Sequence, residues 1–150
     1  MQHHADAAGE LALSMPDVRV GFDLAQVSAI AESLRRFGHR FADRLFTSHE
    51  QGYALAGHGL FAERLAARFA AKEAVIKALS LSEAGVNWRD IEVRKQPGGE
   101  CMVVLHGRAK EVAQRLRVRS ISLSMSHEGD CAGAYVNVVC EPPARGLPSK

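Results

Sequence analysis

The stretch Arg64-Leu-Ala-Ala-Arg-Phe-Ala-Ala-Lys-Glu-Ala-Val-Ile-Lys-Ala-Leu79 decides how the rest of the chain is read. It is rich in alanine and free of glycine and proline, so intrinsic propensity favours a helix along its whole length. Leu65, Phe69, Ile76 and Leu79 fall at helical spacings and lie along one face. At about 100° per residue, Glu73 stands roughly 40° from Phe69, inside that apolar stripe. A carboxylate on a buried face needs a cation or hydrogen-bond donors, because burial without them is costly. Lys77, one turn further on, offers an ion pair, and Arg68 and Lys72 flank the same stripe. A functional carboxylate satisfies the pattern equally well. The helix alone leaves both readings open.

Working outward, 150 residues suit one domain with a real core. Apolar residues at 47% and charged residues at 24% are those of an ordinary globular protein. A net charge of only +2 gives no sign of a protein that coats nucleic acid, although Arg35, Arg36, Arg40 and Arg44 cluster. No apolar run is long enough to span a bilayer, and no signal peptide is visible. Cys101, Cys131 and Cys140 are odd in number and lack CxxC spacing, as expected of free thiols in a reducing cytoplasm.

Residues 1–17 read as a mobile extension, and 141–150, with Pro142, Pro143 and Pro148, as a flexible tail. Between them, Val18-Arg-Val-Gly-Phe-Asp23 alternates like a short strand. Helical spacing begins at Leu24, and Asp23 with Gln26 forms a capping-box pattern. Asp23 is therefore expected at a strand-to-helix junction, as an N-cap, as a carboxylate facing a cleft, or as both. Gly38 ends that helix, and Thr47-Ser-His-Glu50 repeats the capping pattern. Gly85 is the expected stop beyond the central helix. Two strand-like runs flank Gln96-Pro-Gly-Gly99 as a hairpin, and a surface helix follows over 108–117. Ser120 to His127 alternates cleanly, with Ile121, Leu123 and Met125 on one face and serines on the other. Glu128-Gly-Asp130 then turns the chain into a last strand.

Asp23, Glu73 and His127 are polar groups that the patterning of their elements does not require. Asp and Glu are hard oxygen ligands, suited to Mg²⁺, which takes one or two carboxylates plus phosphate oxygens and waters. The basic residues beside Glu73 suit phosphate groups. There is no Walker-type or GxGxxG loop, so side chains and an ion would have to hold a nucleotide.

Five segments stand in a telling order: Val20-Gly-Phe-Asp-Leu24, Arg40-Phe-Ala-Asp-Arg-Leu-Phe-Thr47, the run from Leu65 to Ala78, Asp90-Ile-Glu-Val93, and Ser122-Leu-Ser-Met-Ser-His-Glu128. In these segments the chain resembles the holo-acyl-carrier-protein synthases, the small class of 4′-phosphopantetheinyl transferases, over about residues 18–140. The resemblance implies an α+β fold, with a small antiparallel sheet packed on a long central helix, assembled as a trimer with sites between subunits. It implies a cytoplasmic enzyme that moves the phosphopantetheine arm of coenzyme A to a serine of an apo acyl carrier protein. Adenosine 3′,5′-bisphosphate would be released. Asp23 and Glu73 fall on the family's Mg²⁺ ligands and Lys77 on its diphosphate-facing lysine, so these three are the expected catalytic residues. Arg68 and His127, with Lys77, fall on positions that bind the coenzyme. A subunit's Arg68 or His127 would serve its neighbour's site.

Three departures from the family pattern stand out. Ser80-Leu81-Ser82 occupies the place of a Gly-x-Gly turn, where glycine would be less strained. Ser28 and Ala29 replace basic residues of the first helix that dock the carrier, and residues 1–17 precede the usual start. Together they imply an altered choice of carrier. The alternative is a non-catalytic module that binds coenzyme A or a carrier on the same fold; a paired Asp and Glu argues against it.

Overall fold

In the computed structural model, which describes residues 18–142, the chain opens with β1 (Val18–Gln26) and runs into α1 (Val27–Phe37), α2 (His39–Leu45) and α3 (Ser48–Leu55). The long helix α4 (Phe61–Leu79) follows, then a single 3₁₀ turn at Trp88–Asp90. The second half comprises β2 (Ile91–Lys95), β3 (Cys101–Leu105), α5 (Gly107–Arg115), β4 (Val118–Glu128) and β5 (Cys131–Cys140). The expected extension over 1–17, and the tail beyond residue 142, lie outside the described residues.

β5 is the middle strand of an antiparallel sheet in the order β1-β5-β4, and β2 and β3 form a separate hairpin. The α+β arrangement expected from the sequence is the one observed. Alternation sorts each strand into two faces. Ala132, Ala134, Val136 and Val138 of β5 are buried, while the serines of β4 point outward. α4 lies across the inner face, against β1 and β5.

That approach is close because small residues line it. Ala66, Ala70, Ala71 and Ala74 have no exposed surface. Gly21 of β1 lies so near α4 that a Cβ there would stand 1.9 Å from the carbonyl oxygen of Ala74. The burial of α4 differs from its expected single stripe. Leu65 and Leu79 are buried, but Phe69 and Ile76 are only half-buried, and alanines on other sides of the helix are covered completely. A helix packed on several sides hides its small residues as well as its large ones.

Local signals fared unevenly. Gly38 ends α1 with φ of 53° and its amide on Leu34. Thr47 and Glu50 form the expected capping box. The reading of Asp23 as an N-cap is overturned: β1 continues three residues beyond it, and no side chain of its own strand caps α1. The cap comes from 102 residues away, where Asp130 accepts from the Ser28 amide (2.7 Å) and hydroxyl (2.5 Å). Those two bonds hold the Asp130 carboxyl below the ordinary carboxylate range. Gly85 is likewise not the stop of the central helix. Ser80 takes the left-handed position (φ 55°, ψ 48°) immediately after Leu79, and Gly85 belongs to the following turn.

A buried ion pair ties the layers together. Lys72, with no exposed surface, donates to Glu50 Oε1 at 2.8 Å and to the carbonyls of Trp88 and Ile91. Glu50, equally buried, accepts from the amides of Thr47 and Val93. Every partner is satisfied, as a buried pair requires. The link runs from α3 through α4 to β2.

Candidate active site

The alternation that sends Val20, Phe22 and Leu24 outward turns Asp23 inward, toward α4. Lys77 reaches it from the last turn of α4. Its ammonium donates to Asp23 Oδ1 at 2.7 Å and to the carbonyl of Phe22 at 3.0 Å. Glu73, one turn earlier on α4, is half-buried. Burial first, then the nearby charge of Asp23, pushes its carboxyl above the ordinary range, while Lys77 pulls the other way. The ion pair between Glu73 and Lys77 that the spacing suggested does not form. Lys77 is taken by the strand, Lys72 by Glu50, and Arg68 lies elsewhere. Glu73 is left as a second carboxylate near enough to Asp23 to feel its charge.

Two carboxylates of this kind fit a divalent cation. Burial of Glu73, and after it the nearby charge of Asp23, disfavour its ionised form, and a cation between the two carboxylates would offset both. Among the described residues no group of three His, Cys, Asp or Glu side chains converges. Asp23 and Glu73 offer two carboxylates, which suits an ion that keeps several waters and accepts phosphate oxygens, as Mg²⁺ does. Beside Glu73 opens a cavity of about 230 Å³, walled by Ile76, Leu81, Ser82, Val86 and Trp88. Trp88 is held there by stacking on Phe69 at 5.3 Å between centroids.

Arg68 and His127 meet in a different place. They line a second cavity of about 280 Å³ with Tyr53, Arg64, Lys95 and Cys101. Three cations surround the Tyr53 ring: Arg68 at 4.1 Å from its centroid, Arg64 at 4.3 Å and Lys95 at 5.8 Å. Arg68 is only 3% exposed, and burial pulls its guanidinium below the ordinary range. Its Nε has no hydrogen-bond partner. An unsatisfied buried donor among cations could be satisfied by an anion or a water.

One chain does not bring the five expected residues together. Asp23, Glu73 and Lys77 converge; Arg68 and His127 form a separate pocket. On α4, Arg68 and Glu73 are five positions apart, about 140° around the axis at 100° per residue, so they leave the helix on different sides. Sequence reasoning missed Tyr53, Arg64 and Lys95. Arg64 carried a signal, being one helical turn before Arg68, but nothing in the spacing tied α3 or the hairpin to that pocket.

The fold and these sites define a class. Residues 19–136 match the ACPS model of the 4′-phosphopantetheinyl transferase superfamily, and the chain belongs to that superfamily. It is similar to the holo-[acyl-carrier-protein] synthase of Koribacter versatilis, 45% identical over 117 residues that cover 77% of this chain and 93% of the relative. The same enzyme from Gloeobacter violaceus is 42% identical over 121 residues, with 81% and 92% covered. Among solved structures, the Chronobacterium ammoniagenes ACPS–CoA complex superposes with a TM-score of 0.72 at 34% identity, covering 83% of this chain and 98% of that one. Helicobacter pylori holo-[acyl-carrier-protein] synthase in complex with coenzyme A gives 0.70 at 28% identity, with 79% and 98% covered.

Proposed function

We propose that this chain is a holo-[acyl-carrier-protein] synthase, which transfers 4′-phosphopantetheine from coenzyme A to a serine hydroxyl of an apo acyl carrier protein. The observation that carries this reading is the convergence of Asp23, Glu73 and Lys77 in a chain of this superfamily. In the reaction the serine hydroxyl gives up its proton to a base, and its oxygen forms a bond to the phosphorus of the pantetheine phosphate. The bond from that phosphorus to the 5′-phosphate oxygen breaks, and adenosine 3′,5′-bisphosphate leaves. Such transfers depend on positioning and on neutralising charge more than on covalent help.

Asp23 and Glu73 would hold Mg²⁺, which when bound neutralises the diphosphate and lowers the pKa of a coordinated water. Lys77 keeps Asp23 oriented through its 2.7 Å contact and presents a positive charge to the diphosphate. Arg68 and His127, with Arg64 and Lys95, bind the phosphate-bearing end of the coenzyme. The unpartnered Arg68 Nε supports this role.

The separation of the two clusters supports a site shared between subunits, in which Arg68 and His127 of one subunit serve the carboxylates of the next. The outer face of the sheet supplies a surface for such an assembly. Val20, Phe22 and Leu24 are 57%, 56% and 58% exposed, and Tyr135 lies beside them on β5. Contiguous exposed apolar side chains of this kind mark association sites. A homotrimer is the assembly the family resemblance implies. No helix among the described residues is long and apolar enough to cross a membrane, and the three free cysteines fit a cytoplasmic setting.

The deciding experiment incubates the protein with coenzyme A, Mg²⁺ and an apo acyl carrier protein, and weighs the carrier by mass spectrometry. A mass gain of one phosphopantetheine is expected, abolished by EDTA and restored by Mg²⁺. Coenzyme A binding without a gain on any carrier tried would instead identify a binding module. Sedimentation of the same preparation reports the assembly, and a monomer at working concentration would remove the shared site.

A further inference from the structure

The cationic pocket contains a thiol. Cys101 opens β3, is half-buried, carries no disulfide and lines the same cavity as Arg64, Arg68 and Lys95, whose three cations outnumber the single carboxylate there, Glu63. Arg68, 3% exposed and part of the same lining, has a buried Nε with no hydrogen-bond partner, the second feature here that an anion would satisfy. The other cysteines differ. Cys140 is buried, and the exposed Cys131 borders grooves that hold Glu128 and Asp130.

We propose that Cys101 is a modification site: it undergoes thiol–disulfide exchange with small anionic disulfides, and the adduct closes the cationic pocket. The closing of the pocket to coenzyme A rests on the reading of that pocket as the seat of the coenzyme's phosphate end. The Cys101 thiol loses its proton and its sulfur attacks one sulfur of the disulfide R–S–S–R. A Cys101–S–S–R bond forms, the R–S–S–R bond breaks, and the released thiolate R–S⁻ takes up a proton. A clustered positive field raises the local concentration of anions and speeds their encounter. The group R left on Cys101 then occupies a cavity of about 280 Å³, with its negative charge against Arg68. A reductant reverses the exchange, so the pocket reopens when thiols are reduced.

The test treats the intact chain with two disulfides, the dianionic dithiobis(nitrobenzoate) and the neutral dithiodipyridine. Adducts at each cysteine are followed by peptide mass mapping. The anionic-to-neutral rate ratio should be roughly tenfold or more higher at Cys101 than at Cys131. It should fall as salt is raised to ~0.5 M, where screening shortens to a few ångström. Lys95→Gln should reduce the ratio at Cys101 alone. Adenosine 3′,5′-bisphosphate should slow Cys101 and not Cys131, and the nitrobenzoate adduct should lose coenzyme A binding by calorimetry until reduced. Cys131→Ser should lose binding on treatment just as the unaltered chain does. Equal ratios at the two cysteines, or an adduct that binds coenzyme A with unchanged affinity, would overturn the proposal. If the untreated protein does not bind coenzyme A, the reading of the pocket fails, while the charge-selective ratio still decides whether Cys101 is the modified thiol.

Discussion

Lys77 contacts Asp23, across the gap between α4 and β1, and not Glu73 on its own helix. The contact at 2.7 Å leaves Glu73 without a lysine partner, near enough to Asp23 to feel its charge. Intrahelical pairs at this spacing are worth only a few tenths of a kcal/mol, so a strand carboxylate with a better angle wins. The same choice builds the site.

Asp23→Ala and Glu73→Ala should each abolish transfer, and Lys77→Met should lower kcat/KM by about 10²–10³-fold, the range for losing one aligned electrostatic group. None of the three is deeply buried, so circular dichroism and melting should stay close to the parent. Full, EDTA-insensitive turnover in either carboxylate variant would remove the metal role.

Gly21→Ala should damage both fold and activity. The added methyl would meet the Ala74 carbonyl at 1.9 Å, and overpacking of this kind costs about 1–3 kcal/mol or more. Moving β1 away from α4 also separates Asp23 from Lys77 and Glu73. Urea unfolding and the carrier assay should fall together. An unchanged midpoint would mean that the strand moves freely.

Lys72→Met should destabilise the protein by about 3–5 kcal/mol, because Glu50 would be left as a buried charge without its cation. The double variant Lys72→Met with Glu50→Gln should recover part of that loss. Unfolding curves of the single and double variants decide this. Equal stability in both would mean that the amides of Thr47 and Val93 suffice for Glu50.

The Asp130 cap sets a pH dependence. Because Ser28 depresses the Asp130 carboxyl in the folded state, the unfolded chain binds more protons across the window below the ordinary Asp value. Stability from this group is therefore present above the unfolded pKa and declines as pH falls through the folded one. Asp130→Ala should melt earlier than the parent at neutral pH, with a gap that narrows in acid. A gap that widens in acid would contradict the cap.

The cluster of Arg35, Arg36, Arg40 and Arg44 is exposed; Arg35 pairs with Glu32, and Arg36 lies over the Phe37 ring at 5.2 Å from its centroid. As a docking face for an acidic carrier it should make kcat/KM fall as salt rises toward ~0.5 M. Arg40→Glu with Arg44→Glu should raise the KM for the carrier and spare that for coenzyme A. Ser28 and Ala29 are also exposed, and restoring Lys and Arg there should improve use of a general fatty-acid carrier. A salt-independent rate would leave the arginines as a solvated surface.

Composition and periodicity determined the helix around Glu73, the alternation of β4, the hairpin at Gln96–Gly99 and the capping box at Thr47. Each is written in contiguous residues, where propensity and spacing act directly. The segments around Asp23, Glu73 and His127 also carried the family resemblance. What the linear chain could not reveal was partner choice. Lys72 and Lys77 both lie within a turn of Glu73, yet one goes to Glu50 and the other to Asp23. The cap of α1 arrives from Asp130, and Tyr53, Arg64 and Lys95 converge on Arg68 from three elements. A charged side chain finds its counterpart by distance and angle in the folded chain, and those depend on how closely Gly21 and the alanines of α4 let the sheet approach.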